Sequence, residues 1–279
     1  MKVFDEQLEE FNRGSGRQDL AEALFEHSEF LLARVIVNRV WGHHFGQHLV
    51  GTPSNFGLKG ELPSHPELLD ALAHRLIEQN WSLKWLHRTI LQSQTFKQSS
   101  GFHEKYMSRD PDNRWYWSVQ RRRLDIESWR DSMLKVSGRL DDTLGGEPIS
   151  LMDPENNRRT IYSEIRRREL DDVLKMHGFP EATGHSPKRE KVDTPLQQLY
   201  ALNSDFIWRC AESLAARLDS NVPEESTVEQ IYRIVYCRVP TKSELMLGLN
   251  FLTQEDESQD RLVRYAHALL ISNEFAFVE

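Results

Sequence analysis

The sequence has few cysteines, and it has no cysteine pair of the kind that holds zinc or haem. Cys210 and Cys237 are the only two among 279 residues, and neither lies in a C-x-x-C or C-x-x-C-H motif. A zinc knuckle and covalent haem attachment are therefore excluded for this chain, and we predict no cofactor in it. Each cysteine falls within a helical pattern, which predicts two buried thiols.

Long apolar runs and an excess of positive charge are also missing. No segment approaches the roughly 20 apolar residues of a membrane helix, and the first 19 residues lack the apolar core of a signal peptide. The chain has 35 Lys and Arg against 43 Asp and Glu, and its arginine clusters at 121–123 and 166–168 lie among acids. We therefore expect a soluble chain without a signal peptide, with no membrane span and no nucleic-acid partner.

Signatures of common catalytic sites are absent as well. The sequence contains no G-x-S-x-G motif, no P-loop and no dinucleotide-binding glycine pattern. A hydrolase with paired carboxylates would need two acids across a cleft, and nothing selects two among 43. The sequence alone therefore does not indicate a reaction.

Helical periodicity is present throughout, whereas the alternation typical of strands is hard to find. Four segments have the hydroxyl and the Glu or Gln three residues later that form a capping box at a helix start. They begin at Ser64, Thr194, Ser226 and Thr241. These signals predict an all-α, multi-helix globular domain.

The least regular part of the sequence is residues 140–193, which we predict to be an irregular crossover. It connects a helical unit at residues 1–139 to a second helical unit at residues 194–279. We expect the two units to form one compact domain. The two units also share a pattern. Leu83, Ser93 and Phe96 match Leu262, Ser272 and Phe275 at equal spacing. An internal repeat predicts that residues 64–96 superpose on residues 241–275. The alternative is a chance similarity between amphipathic helices.

The stretch NRVWGHHFGQHLVGTPSNFG, residues 38–57, combines histidines, glycines and asparagines at the end of a nearly all-apolar helix. His44 and His48 stand four apart, a spacing found among zinc ligands. Gly46 lies between them and no H-E-x-x-H motif forms, so capping of carbonyls or packing on Trp41 is favoured over metal binding. We predict no metal, with His44 and His48 as weak candidates.

The loop at 46–63 is rich in Gly, Pro and Asn, so it needs hydrogen bonds from adjacent helices to be ordered. We expect residues 51–60 to fold back onto the helix at 34–41 and onto the helix that starts near Ser64. The donors would be Arg34, Asn38 and Arg39, and Asn55 would hold an Asx turn. The candidate functional surface comprises Asn38, Arg39, Trp41, His43, His44, Asn55 and His65.

Two further clusters have structural interpretations. The spacing of the charged residues in QRRRLDIESWRDSML predicts a solvated or inter-helix ion-pair face formed by Arg123, Glu127, Arg130 and Asp131. The aromatic residues 115–117 could stack on a sugar, although packing beneath the crossover is favoured.

Several segments resemble the planctomycete-type domain of unknown function 1553, in the order of that family. They are residues 38–57, SHPELLDALAHRLIEQNWSLKWLHRTILQSQTFKQSS, RRRLDIESWRDSML, LGG, RRTIY, DTPLQQLYALNSDF, CRVPTKSE and LLISNEF. The resemblance covers about Leu20 to Glu279. This chain departs from the family at residues 177–180, where HGFP replaces a usual Phe-Asp-x-Pro, and this puts a role for an acid there in doubt.

The resemblance implies a C-terminal module of a large exported protein, located in the periplasm or otherwise outside the cytoplasm. Its partners would be neighbouring domains of a longer parent protein, including a c-type cytochrome domain. A helical docking or interaction module, with a possible redox link, is the function we expect. The alternative is an enzyme or carbohydrate-binding domain acting on sulfated polysaccharide, with its site around residues 38–65.

Overall fold

The structure, a computed structural model, describes residues 14–189, 192–218, 223–253 and 261–278. Helices account for 54% of the described residues, which form twelve α-helices. The sheet within the described part is one antiparallel pair of two-residue strands, β1 (Arg122–Arg123) and β2 (Phe277–Val278). The predicted all-α class is confirmed. No helix in the described ranges has both the length and the apolarity to cross a bilayer.

Residues up to 121 form one compact unit, called the first unit here. It contains α1 (Arg17–Phe45), α2 (Pro66–Glu78), α3 (Leu83–Gln92) and α4 (Glu104–Met107). Leu69, Leu72 and Leu76 recur at helical spacing on α2 and are buried in the core between α2 and α1. Helix α1 ends because Gly46 adopts a left-handed conformation, with φ of 72°, and its amide donates to the carbonyl of Gly42.

Residues 122–278 form the second unit. Its helices are α5 (Ile126–Ser137), α6 (Asp172–Met176), α7 (Pro195–Asn203), α8 (Asp205–Ala216), α9 (Glu224–Tyr236), α10 (Lys242–Leu252), α11 (Arg261–Leu270) and α12 (Asn273–Ala276). Helix α8 packs along α11, with Ile207, Leu214 and Leu270 fully buried. Helix α5 belongs to this unit, whereas the sequence analysis placed its residues in the N-terminal helical unit at 1–139. The predicted limits at 139/140 and 193/194 stay a prediction.

The four predicted capping boxes had different outcomes. The box at Thr241 is confirmed, since its hydroxyl accepts from the Glu244 amide and the Glu244 carboxylate accepts from the Thr241 amide. Thr194 is the N-cap of α7, but its hydroxyl makes no capping bond, because the Gln197 amide donates to the Thr194 carbonyl at 3.1 Å; the Gln197 side chain donates to the carbonyl of Met176. The predicted box at Ser64 is wrong because the N-cap of α2 is His65. The predicted box at Ser226 is also wrong, because α9 already begins at Glu224.

The two cysteines differ in exposure. Cys210 is buried in α8, as predicted, whereas Cys237 is exposed. Cys237 is the C-cap of α9 and has a left-handed backbone with φ of 56°. Its side chain therefore leaves the buried face of the helix, and the prediction of a buried thiol is wrong at this position.

The segment at 140–171 is irregular, as predicted, and it is organised around α5. Its regular structure consists of two isolated bridges, Asp141 to Arg158 and Ile149 to Ser163, and a 3-10 turn at Thr160–Tyr162. Arg130 reaches into it from α5 and is only 5% exposed. The prediction of a solvated or inter-helix ion-pair face is therefore wrong at Arg130, which is buried and donates to the carbonyls of Asn156 and Arg158.

The other charged residues of that pattern have separate partners. Arg123 Nη1 lies 2.7 Å from Asp193 Oδ1, and Glu127 pairs with Arg189. The carboxylate of Asp131 accepts from the amide and the hydroxyl of Thr160, each at 2.7 Å. Charged residues that are close together in the sequence, in α5 and just before it, thus bind segments that are far from α5 in the sequence.

The proposed internal repeat has matching local geometry at its two serines. Ser93 and Ser272 have φ of −65° and −66°, and their hydroxyls accept from the amides of Phe96 and Phe275 at 3.1 and 3.2 Å. In both units a serine cap therefore follows the second helix of a helical pair. Superposition of residues 64–96 on 241–275 stays a prediction.

Candidate functional site

Asn38 is fully buried on α1 and binds the backbone of the following loop. Its amide nitrogen donates to the carbonyl of Val50 at 3.1 Å, and its Oδ1 accepts from the Val50 amide at 2.8 Å. The amide of Ser64 donates in turn to the carbonyl of Leu49 at 2.8 Å, which joins the loop to the start of α2. The loop does fold back onto α1, through Val50, just before the predicted segment 51–60.

The remainder of this loop is closed by its own side chains. The hydroxyl of Thr52 donates to the carbonyl of Asn55 at 2.9 Å and accepts from the amide of Glu61 at 3.0 Å. Asn55 Oδ1 accepts from the Gly57 amide at 3.1 Å, which is the predicted Asx turn. A side chain at Gly60 would lie 2.2 Å from the Asn55 carbonyl oxygen, so the turn requires glycine there. Asn55 itself is exposed and serves to shape the loop.

Two of the three predicted donors do not bind the loop. Arg34 pairs with α2 instead, where its Nε lies 2.8 Å from Asp70 Oδ1. Arg39 is exposed and makes no hydrogen bond to the described part of the loop. Position around the helix explains the difference, because Asn38 points into the core while Arg39, one residue later, points about 100° away from it.

Trp41 is part of the core of the first unit. It is 5% exposed, and its ring stacks on Phe45 at a centroid distance of 4.2 Å. Tyr116 meets the same two rings edge-on, at 5.4 Å from Trp41 and 5.1 Å from Phe45. Burial raises the pKa of Tyr116. This aromatic cluster gives Trp41 a packing role in the core of the first unit.

The histidines of the motif face different surroundings. His43 is exposed, and His44 Nε2 lies 2.7 Å from Nδ1 of His87 on α3. His65 caps α2, with Nδ1 3.0 Å from the Ser64 hydroxyl. The ring of His48 packs against Gly42, where a Cβ would lie 2.4 Å from it. The described residues contain no group of three or more His, Cys, Asp or Glu arranged to hold a metal ion.

A second loop, at 110–118, completes this part of the first unit, and the sequence analysis missed its construction. Asp110 and Asn113 are 7% and 5% exposed, and both side chains bind backbone groups of the loop. The side chain of Gln47 donates to the carbonyl of Asp112 at 2.9 Å, which ties this loop to the histidine-rich motif. The signal was available, because Asp and Asn before a turn commonly bind backbone amides.

A cavity of about 140 Å³ opens between the two loops. Its polar lining combines an imidazole, a carboxylate, a hydroxyl and a guanidinium. The residues around it are His48, Leu49, Gly51, Glu61, Leu62, Ser64 and Arg114. The seven residues of the predicted functional surface do not line it, whereas His48, Leu49 and Gly51 of the same motif do. Hydrogen-bonding groups of both kinds suit a small polar ligand with hydroxyls.

A charged cluster in the second unit joins α9, α10 and α12. The guanidinium of Arg238 binds the carboxylates of Glu244 and Glu274, with distances between 2.6 and 2.9 Å, and lies over the rings of Tyr232 and Tyr236. The hydrogen bond from Arg238 lowers the pKa of Glu244 from 4.5 to about 2. The segment CRVPTKSE thus has a structural role, because Arg238 and Glu244 within it join α9, α10 and α12; this cluster is called the joint below.

We expect Glu244→Gln to flatten the loss of stability in acid. Because the folded pKa is the lower one, the stability from Glu244 is present above about pH 4.5 and is lost as pH falls towards 2. Gln can still form the capping box, but the change removes the charge and one of the two oxygens that accept from Arg238. Melting temperatures between pH 6 and pH 3 (roughly the titration range of carboxylates) would measure this. Glu229→Gln, at an exposed pair with Arg233, should keep the wild-type slope, and equal slopes for all three proteins would contradict the prediction.

His177, the first residue of the HGFP segment, is packed within the second unit. His177 Nδ1 lies 2.8 Å from the carbonyl of Val173, and its ring packs between Trp129 and Tyr200. Burial lowers the pKa of His177, and the charge of Arg123 adds to this effect. The surroundings of His177 therefore disfavour its protonated form.

Comparison with known proteins identifies the family. No curated protein and no solved structure matches the chain. The model of the family described as protein of unknown function DUF1553 matches residues 16–252, which include both loops, the cavity, Arg238 and Glu244 but not Glu274. The chain therefore belongs to the DUF1553 family.

Proposed function

We propose that the chain is a docking module of a larger exported protein. The placement of the motif residues supports this function over a site around residues 38–65, because Asn38 and Trp41 are buried in the core and the imidazoles of His44 and His65 have different partners. The alternative, an enzyme or carbohydrate-binding domain on sulfated polysaccharide, stays a prediction for that stretch.

The observation that carries the proposal is a row of exposed leucines on α7. Leu196, Leu199 and Leu202 are 58%, 55% and 51% exposed and recur every three residues. The opposite side of α7 is fixed by Gln197, whose buried amide donates to the carbonyls of Met176 and Val192 at 2.8 and 3.1 Å. The leucines therefore cannot turn inward. An apolar helix face of this kind is suited to a groove on a partner protein.

The proposed partners are the neighbouring domains of the parent protein, including a c-type cytochrome domain, in the periplasm or otherwise outside the cytoplasm. These proposals rest on the family resemblance. The chain has no C-x-x-C-H motif. In a redox-linked assembly the haem would accordingly belong to the partner, and this chain would supply the docking surface without a cofactor of its own.

Site-specific photo-crosslinking in the producing cell tests this function. A benzophenone side chain at position 199 should give a crosslink to a peptide of the cytochrome domain or of another domain of the parent protein. The same side chain at position 144, where Leu144 is 78% exposed in the same unit, is the matched control and should not. Leu196→Glu should abolish the crosslink from 199. Equal products from both positions, or crosslinks only between two copies of this chain, would overturn the proposal.

A further inference from the structure

The surface formed by residues 102–117 presents several aromatic rings to solvent. Phe102 is 74% exposed, Trp115 is 68% exposed and Tyr106 is 47% exposed. The ring centroids of Tyr106 and Trp117 lie 5.9 Å apart, with an interplanar angle of 36°. Large aromatic side chains are usually buried, so three exposed rings within one short segment of the chain need an explanation.

Trp115 is held in its exposed position by a fixed backbone. The two oxygens of the buried Asp110 carboxylate accept from the amides of Arg114 and Trp115 at 3.0 and 2.9 Å. The indole of Trp117 donates to the carbonyl of Asp110 at 2.9 Å. Trp115 is thus placed before any ligand binds, and little conformational entropy would be lost on binding.

Two residues near Trp115 have left-handed backbone conformations, and other contacts of the loop hold them there. Asn113 and Tyr116 both have φ of 52°, which is uncommon for residues other than glycine. Asn113 is held by hydrogen bonds to both backbone groups of Ser118, and Tyr116 is buried among the aromatic rings of the core. The left-handed turn at Tyr116 lets one aromatic residue enter the core while its neighbour stays outside.

Polar groups that can bind hydroxyls lie beside this loop. Arg114 directly precedes Trp115 and lines the cavity of about 140 Å³ together with Glu61, His48 and Ser64. A sugar ring has an apolar face of C–H groups that stacks on an indole, and hydroxyls at its edge that bind planar charged side chains. From this combination we infer that the surface around Trp115 binds a pyranose polysaccharide, with one ring stacked on Trp115.

Affinity electrophoresis with the whole chain tests this inference. Native gels would contain hydroxyethyl cellulose or xylan as neutral probes and dextran sulfate or carrageenan as sulfated probes. At least one probe should retard the wild-type protein. Trp115→Ala should weaken the retardation at least tenfold, whereas Trp115→Phe should keep most of it. Leu58→Ala is the matched control, because Leu58 is a fully exposed apolar residue of the same unit, and it should bind as the wild type does.

Melting temperatures of all variants would show that each is folded. The inference is wrong if no probe retards the wild-type protein. It is also wrong if Trp115→Ala is retarded equally, since binding would then not involve the stacking surface. Either result leaves the proposal for α7 unaffected, because that surface lies in the second unit.

Discussion

Replacement of Arg130 by Ala is expected to lower the free energy of unfolding by about 3–5 kcal/mol. The guanidinium is buried and donates to the carbonyls of Arg158 and Asn156 and to the hydroxyl of Thr160, with the Phe206 ring 4.9 Å away. Alanine would leave these acceptors without a donor and would open a cavity. Equilibrium unfolding in urea, followed by circular dichroism, would measure the change.

Arg159→Ala is the matched control for this substitution. Arg159 is 47% exposed at its side chain, and its Nε lies 3.6 Å from Asp131 Oδ2. A long, partly exposed pair of this kind contributes about 0–1 kcal/mol, so the control should unfold close to the wild type. A loss below about 1 kcal/mol for Arg130→Ala would show that the crossover does not depend on this guanidinium.

Asn38→Ala is expected to destabilise the protein by about 2–4 kcal/mol. The change removes both hydrogen bonds to the backbone of Val50, and the buried amide and carbonyl of that residue would lose their partners. Asn38→Asp should also be destabilising, because a carboxylate cannot donate to the Val50 carbonyl. Urea unfolding of the two variants measures both effects.

Arg39, the residue after Asn38, provides the control for Asn38→Ala. Arg39→Ala should change the stability by no more than about 0.5 kcal/mol, because the Arg39 side chain is exposed. Equal losses at positions 38 and 39 would contradict the account of the loop given above. Near-neutral stability at position 38 would show that the loop at 46–63 is ordered by other contacts.

Periodicity and local rules were sufficient for some features of this fold. The apolar spacing of Leu69, Leu72 and Leu76 identifies the buried face of α2, and the box at Thr241 depends on four consecutive residues. The role of Asn38 was also predictable, since a polar side chain on an apolar helix needs an internal partner. These inferences depend on groups that are close together in the sequence.

Features that depend on distant groups were not predictable in the same way. Arg123 and Arg130 occur in one charged pattern, yet only tertiary packing decides that the first pairs with Asp193 and the second binds the carbonyls of the crossover. The cavity likewise brings Glu61 and Arg114 together from loops about 50 residues apart. No spacing rule connects such residues before the chain is folded.

The different exposure of the two cysteines provides a labelling position without mutagenesis. Cys210 is inaccessible in the core, so a maleimide dye or nitroxide should react at Cys237 alone in the folded protein. The label would sit directly beside Arg238, at the end of α9. Its spectrum would therefore follow the opening of the joint with α10 and α12 in real time, in the wild-type sequence and under any solvent condition that keeps the thiol reactive.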